Sequence, residues 1–150
     1  MEKETRATAI DYIVDLFKVP LIYYLITGAI AIILSVTTKK VMLSFLIAYL
    51  FFILAITVLI RRPTGTAHYQ FSLFWSYREW DRQCDQILAN IIMFILVGIL
   101  LHKPRGILWA FVFSAAIETI QLVTHTGQFE FDDMINNTFG ALMGCFCIPL

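Results

Sequence analysis

The feature that most constrains the fold is an unbroken run of 20 uncharged, mostly apolar residues at positions 41–60. A helix of about 20 apolar residues is long enough to cross the hydrocarbon core of a bilayer. Four more apolar runs occupy about 20–37, 87–101, 107–123 and 134–150. The sequence therefore predicts an all-α fold, a polytopic transmembrane helix bundle of about five spans that forms one domain over residues 1–150.

The composition favours the same environment. Hydrophobic residues make up 59% of the chain and charged residues 15%, against roughly 45–50% and 25% in a soluble globular domain. The 11 basic and 11 acidic residues cancel to a net charge of zero. A chain without excess positive charge lacks the usual footprint of a polyanion-binding protein, so nucleic acid is excluded as a partner and membrane lipids are expected instead.

The first 19 residues differ from the apolar runs. Ile10, Ile13, Val14 and Phe17 follow the spacing of one helix face, with charged residues between them. This pattern predicts a short N-terminal interfacial amphipathic helix that lies flat on the membrane. No small-residue cleavage site follows the next apolar run, so no cleavable signal peptide is predicted.

Residues 61–86 form the longest polar stretch, and they mix aromatic with charged side chains. Such mixing suits the headgroup level of a bilayer, where Trp75 and Tyr77 would sit. Arg78 and Arg82 are four residues apart, which is one helical turn, and together they suit a phosphate or carboxylate headgroup. The alternative is local ion pairing with the neighbouring acidic residues, Glu79, Asp81 and Asp85.

The fourth apolar run carries a polar stripe. Ser114, Glu118 and Gln121 fall on one face of a helix. A carboxyl group inside a membrane span is costly, so Glu118 must face the protein interior and have a partner. Two interpretations stay open: the stripe is the wall of a polar cavity, or it forms hydrogen bonds between helices.

A second polar group lies where the fifth run begins. Asp132 and Asp133 precede this run, and Asn136 and Asn137 lie one turn inside it. Capping of the helix start explains one aspartate, whereas a polar site would employ all four residues and Glu130, together with Asn90 of the third run. Nearby glycines predict close helix packing, and they are Gly98, Gly140 and Gly144.

Familiar catalytic and metal-binding signatures are absent from the sequence. It contains no HExxH, GxSxG, Walker or GxGxxG motif. Its three cysteines and three histidines are scattered, so we predict no metal site and no cofactor. Catalytic residues are left unassigned.

The stretch from Phe74 to the C-terminus carries short motifs in a fixed order. They are Phe74-Trp75-Ser76-Tyr77, Asn90 with Phe94 and Gly98, Ser114 with Glu118 and Gln121, Asp132-Asp133, Asn137-Thr138, and Gly140 with Gly144. In this order and spacing, the stretch resembles the VanZ-like family of small bacterial membrane proteins. The chain departs from that family at Leu73 and Leu96, where Pro is frequent, and at Gly127-Gln128, where Gly-Arg is frequent.

The resemblance implies a multi-pass protein of the bacterial plasma membrane. The namesake of the family is linked to low-level resistance to the glycopeptide teicoplanin. The leading hypothesis is therefore an envelope protein that binds a lipid-linked cell-wall precursor or a glycopeptide at the membrane face. The alternatives are a membrane enzyme that acts on a lipid or peptidoglycan precursor, and a small transporter subunit or assembly factor.

The resemblance also implies a topology, with residues 61–86 and 124–133 outside the cell. The outer side would then hold seven basic residues and the inner side four, whereas the positive-inside rule favours the reverse. The two basic hairpin turns and the acid-rich last loop agree with the family arrangement, which we adopt. The side of the N-terminus stays open, because it depends on whether the first run crosses fully.

Overall fold

The helices follow the apolar runs. A computed structural model describes residues 19–63 and 68–147 of the chain, so the predicted interfacial helix lies almost entirely outside the described residues. The elements in chain order are α1 (Leu21–Thr38), α2 (Val41–Leu54) continuing as a π-helical turn (Ala55–Leu59), β1 (His68–Gln70), α3 (Trp75–Arg78), α4 (Trp80–Leu101), α5 (Pro104–Thr124), β2 (Gln128–Glu130) and α6 (Phe131–Cys147).

The predicted all-α membrane fold is confirmed. In the described part of the chain, four helices are long and apolar enough to cross a bilayer: α1, α2 with its π-helical turn, α4 and α5. Helix α6 has 17 described residues, which is near the lower limit for a span. The total of five spans therefore stays a prediction.

Two tight turns lie at one end of the bundle. The residues that follow α1 and α4 are Lys39 and His102, and their backbones are left-handed with φ of 56° and 37°. A left-handed residue reverses the chain sharply after a helix, so α2 and α5 start within two residues. We call this end, with residues 39–40 and 102–103, the turn end. Residues 60–63, 68–79 and 125–130 lie at the opposite, loop end.

Helices α4 and α6 form the tightest contact. A Cβ atom placed on Gly140 would lie 2.2 Å from the backbone oxygen of Ile91, and one on Gly144 would lie 1.9 Å from that of Ile95. From the other side, a Cβ on Gly98 would lie 2.0 Å from the backbone oxygen of Ala141. The small residues of both helices thus allow their backbones to touch, and these glycine faces are occupied within the chain.

The core lies between α2, α4, α5 and α6. Phe94, Ile53 and Ala141 are fully buried there, and the hydroxyl of Tyr49 donates to the Met93 carbonyl at 2.9 Å. Helix α1 packs against α2 but buries only Ala31. Large apolar side chains cover much of the remaining described surface, as expected of helices that face lipid.

Three boundaries differ from the sequence prediction. Helix α4 starts at Trp80 rather than near residue 87, because its first two turns carry charged residues that stand clear of the hydrocarbon. Arg78 ends α3 while Arg82 belongs to α4, so the two are not successive turns of one helix. Helix α6 starts at Phe131, which places Asp132 and Asp133 inside its first turn rather than before it.

Candidate functional site at the loop end

A short parallel β-ladder, absent from the sequence prediction, holds the two loops together. Tyr69 pairs with Phe129 and Gln70 with Glu130. The ring of Phe71 lies 5.7 Å from that of Phe129 and 5.5 Å from that of Phe131, measured between centroids. This pairing sets the polar residues after α2 directly against those before α6.

The carboxylate of Asp132 fixes the position of the Phe74-Trp75-Ser76-Tyr77 motif. Asp132 is fully buried. Its Oδ1 accepts from the backbone N–H of Phe74 at 2.7 Å, and its Oδ2 accepts from the backbone N–H and hydroxyl of Ser76 at 2.9 and 2.6 Å. The left-handed backbone of Phe74, with φ of 60°, turns these donors toward the carboxylate. Asp132 therefore caps α3, a helix other than its own.

Tyr77 and Asn136 extend this attachment by one turn. The Tyr77 hydroxyl donates to the side-chain oxygen of Asn136. Burial, and after it the charge of Asp132, raises the pKa of the Tyr77 hydroxyl above its ordinary value, which keeps that hydroxyl a donor. The Phe74-Trp75-Ser76-Tyr77 motif is thus held to α6 by two side chains one helical turn apart, those of Asp132 and Asn136.

The polar stripe of α5 divides among three partners. The Glu118 carboxylate accepts from the backbone N–H of Glu130 at 2.9 Å. The Gln121 amide donates to the carbonyl of Thr57 at 2.9 Å, inside the π-helical turn of α2. The Ser114 hydroxyl accepts from the Asn137 amide at 2.8 Å. Hydrogen bonding between elements therefore accounts for much of the stripe, and Glu118 joins it to the acidic loop.

Three carboxyl groups lie close together at this end, those of Glu118, Glu130 and Asp133, and we call them the carboxylate cluster. The Gln86 amide donates to Asp133 Oδ2 at 2.9 Å, and the Asn90 amide also faces Asp133.

Glu130 is the member of the cluster on the loop itself. Burial first, and then the charges of Asp133 and Asp132, raises the pKa of the Glu130 carboxyl to about 7. Glu130 can therefore gain or lose a proton near neutral pH.

Arg61 is the basic residue whose charge acts on the cluster. It is exposed just after the π-helical turn. Burial raises the pKa of the Asp133 carboxyl above its ordinary value, and the Gln86 and Asn90 amides and then the charge of Arg61 oppose that shift in part. Arg78 and Arg82 are both exposed to solvent at the same end. The sequence interpretation named these two and missed Arg61, although its position directly after an apolar run already placed it at the depth of the acidic loop.

Two buried amides retain unused hydrogen-bonding capacity. Among the described residues, Asn136 Nδ2 and Asn137 Oδ1 have no hydrogen-bond partner, although both residues are at least 97% buried. Buried polar atoms are normally paired, with protein or with ordered water. Each of the two atoms therefore has the capacity for one further hydrogen bond.

Large apolar side chains are exposed beside this polar interior. The set that we call the aromatic face consists of Tyr69, Phe71, Leu73, Phe74, Tyr77 and Trp80. Each exposes between 40% and 64% of its surface. Aromatic side chains of this kind concentrate at the membrane interface, so the loop end combines an interfacial apolar surface with a charged and amide-rich interior.

The described residues show no arrangement typical of a metal-binding site. Within residues 19–63 and 68–147, no group of three or more His, Cys, Asp or Glu side chains is arranged to hold a metal ion. The cysteines Cys84, Cys145 and Cys147 are all free thiols. What the arrangement offers is hydrogen bonding, charge and a carboxyl group that titrates near neutral pH.

The comparisons with known proteins bear on this set of residues. A family model described as VanZ/LLP1 matches residues 41–150. The chain belongs to this family. The VanZ/LLP1 match begins at the first residue of α2, so it contains the whole loop end and leaves α1 outside. Searches of curated proteins and of solved structures found no match.

Proposed function

We propose that this VanZ/LLP1 protein lies in the bacterial plasma membrane and binds a lipid-linked cell-wall ligand at its loop end, thereby contributing to glycopeptide (teicoplanin) resistance. The observation that carries the proposal is the buried Asp132 carboxylate with its three hydrogen bonds to Phe74 and Ser76. Those bonds hold the aromatic face in one place beside the carboxylate cluster.

A lipid-linked cell-wall precursor is an amphiphile with a polyprenyl tail, a phosphate-containing head, and amide and amine groups. Each part has a counterpart at the loop end. The exposed side chains of Phe74 and Trp80 suit the chain near the headgroup level. Arg78 and Arg82 suit the phosphates. The carboxylate cluster and the buried amides suit amines and amides.

The order of these groups across the membrane also supports a lipid-linked ligand. The aromatic face is exposed, whereas Glu118, Asn136 and Asn137 are buried beneath it. A ligand anchored in the bilayer would already lie beside the aromatic face, so little entropy is lost in bringing it to the site.

The experiment for this proposal is teicoplanin susceptibility of cells that express the chain. We expect Arg78→Gln/Arg82→Gln to lower the protective effect, because the phosphates lose their counter-charges, while Arg62→Gln keeps it. Arg62 is an exposed arginine at the same end and is the matched control. Equal protection from all three proteins, at equal amounts in the membrane, would contradict the proposal.

A second candidate function rests on Glu130. A carboxyl group with a pKa of about 7, held next to two further carboxyl groups, suits general acid–base catalysis on the same ligand. Under this alternative, the purified protein converts a lipid-linked peptidoglycan precursor to a new product, and Glu130→Gln binds the precursor without converting it. Unchanged precursor after prolonged incubation with the original protein would leave binding as the function.

A further inference from the structure

A groove at the turn end lies at the opposite end of the helix bundle from the proposed ligand site. It separates the start of α2 from the end of α4, has a volume of about 580 Å³ and is open on its outer side. That volume is within the range of ligand sites, roughly 300–1,000 Å³, and far above what one inorganic ion fills. Its walls are apolar and come from Val41, Met42, Leu43, Leu46, Leu100 and Leu101.

The rim of this groove is basic. Lys39 and Lys40 come from one turn, and His102 and Lys103 from the other. The two left-handed residues Lys39 and His102 reverse the chain at the same level, which gathers the four side chains at one end of the groove. Helix α2 also starts here without a side-chain cap, so its dipole adds to the positive field.

No acidic side chain of the described residues lies at this end. The described acids are Glu79, Asp81, Asp85, Glu118, Glu130, Asp132 and Asp133. The first three precede or open α4, and the others belong to the carboxylate cluster and its neighbour Asp132, all at the loop end. The lysines of the groove therefore lack an acidic counter-charge among residues 19–63 and 68–147.

We propose that this groove is a binding site for an anionic phospholipid, with the phosphate held by Lys40 and Lys103 and an acyl chain against the apolar walls. Positive charge at the rim and hydrocarbon on the walls are complementary to the two halves of such a lipid. Since the groove opens at the level of two interhelical turns, its occupant joins the α1–α2 hairpin to the α4–α5 hairpin.

The test is native mass spectrometry of the purified full chain in detergent, titrated with phosphatidylglycerol or phosphatidylcholine. We expect tighter binding of phosphatidylglycerol, and a loss of about tenfold or more in that preference in Lys40→Gln/Lys103→Gln, since each lysine near a lipid surface contributes appreciably. The matched control is Arg62→Gln/Arg105→Gln, which also removes two exposed positive charges, neither of them lining the groove.

Two further measurements test whether the apolar walls of the groove take part in lipid binding. Met42→Trp narrows the groove without changing its charge, and we expect it to weaken phosphatidylglycerol binding as well. Glycerol 3-phosphate, which has the headgroup chemistry without acyl chains, should not compete. The proposal fails if both double variants lose the same preference, if Met42→Trp binds normally, or if glycerol 3-phosphate displaces the lipid. None of these results bears on the loop-end site, so the two proposals stand or fall separately.

Discussion

Asp132 is the residue on which the loop end depends most. Asparagine at this position has one acceptor oxygen, and its amide would face donors that now bond to a carboxylate. We expect Asp132→Asn to weaken the attachment of residues 74–77 by about 1.5–3 kcal/mol, the range for hydrogen bonds to a charged group. Hydrogen exchange at the Phe74 and Ser76 amides should then accelerate by roughly 10- to 150-fold.

The control for that change is Glu79→Gln, an exposed carboxylate in the same segment. A surface change of this kind usually costs less than about 0.5 kcal/mol, so exchange at Phe74 and Ser76 should stay slow. If both variants exchange at the same rate, Asp132 does not hold the motif.

Glu130 gives the molecule a pH dependence. Its pKa of about 7 in the folded state is higher than the ordinary value because of burial and of the neighbouring charges of Asp133 and Asp132. Folding therefore favours the protonated carboxyl, and this contribution to stability is lost as the pH rises through about 7. We expect the detergent concentration at the midpoint of unfolding to fall as the pH is raised from about 4.5, the ordinary pKa of the carboxyl, to about 7, and Glu130→Gln to reduce that fall. Equal slopes in both proteins would contradict this assignment.

The sequence predicted which polar side chains belong to the candidate site, but it did not predict their hydrogen-bond partners. The Asp132 carboxylate was expected to cap its own helix or to join a site, and it caps α3 from 56 to 58 positions away. Such pairings depend on the relative placement of two helices, which periodicity within one helix does not contain.

At the scale of elements, the α4–α6 contact is the most sensitive to volume. A methyl group at Gly140 meets the backbone of Ile91, which cannot move aside as a flexible side chain would. We expect Gly140→Ala to destabilise the protein by about 1–3 kcal/mol, as overpacking does, measured as a shift of the unfolding midpoint.

Gly28→Ala in α1 is the matched control, because nothing lies within 4 Å of the added methyl group. Alanine favours a helix over glycine by up to about 1 kcal/mol, so this variant should be neutral or slightly stabilised. A Gly140→Ala protein as stable as Gly28→Ala would show that the two helices are farther apart than described.

The elements themselves were largely predictable. Uncharged apolar runs predict helices because lipid offers no hydrogen-bond partners. The backbone N–H and C=O groups must therefore bond to one another within the segment. Helix starts were not predictable, since charged residues such as Asp81 and Asp85 occupy helical turns beyond the hydrocarbon. The β-ladder was not predicted, because strands of three residues are too short to show an alternating pattern of apolar and polar residues.

At the scale of the whole molecule, the orientation of the bundle decides which ligands the loop end can reach. The turn end carries Lys39, Lys40, Lys103 and Arg105, and the loop end carries Arg61, Arg62, Arg78 and Arg82, so the basic residues of the two ends do not select a side. The family resemblance implies that the turn end is cytoplasmic. We expect Ser72→Cys at the loop end to react with an impermeant maleimide in intact cells, and Pro104→Cys at the turn end to react only after the cells are opened. Both positions are exposed, and the three native cysteines are first changed to alanine. The opposite labelling pattern would place the loop end in the cytoplasm and remove the cell-wall ligand from reach.

The most direct measurement is binding of a purified lipid-linked peptidoglycan precursor to the purified protein in detergent, compared among the original chain, Trp80→Ala and Trp109→Ala. Both tryptophans are exposed, by 48% and 66%, but only Trp80 belongs to the aromatic face, whereas Trp109 lies toward the turn end of α5. We expect binding by the original chain, a loss of about tenfold in affinity for Trp80→Ala, and unchanged affinity for Trp109→Ala. Absence of binding by the original chain, or equal losses in the two variants, would contradict it.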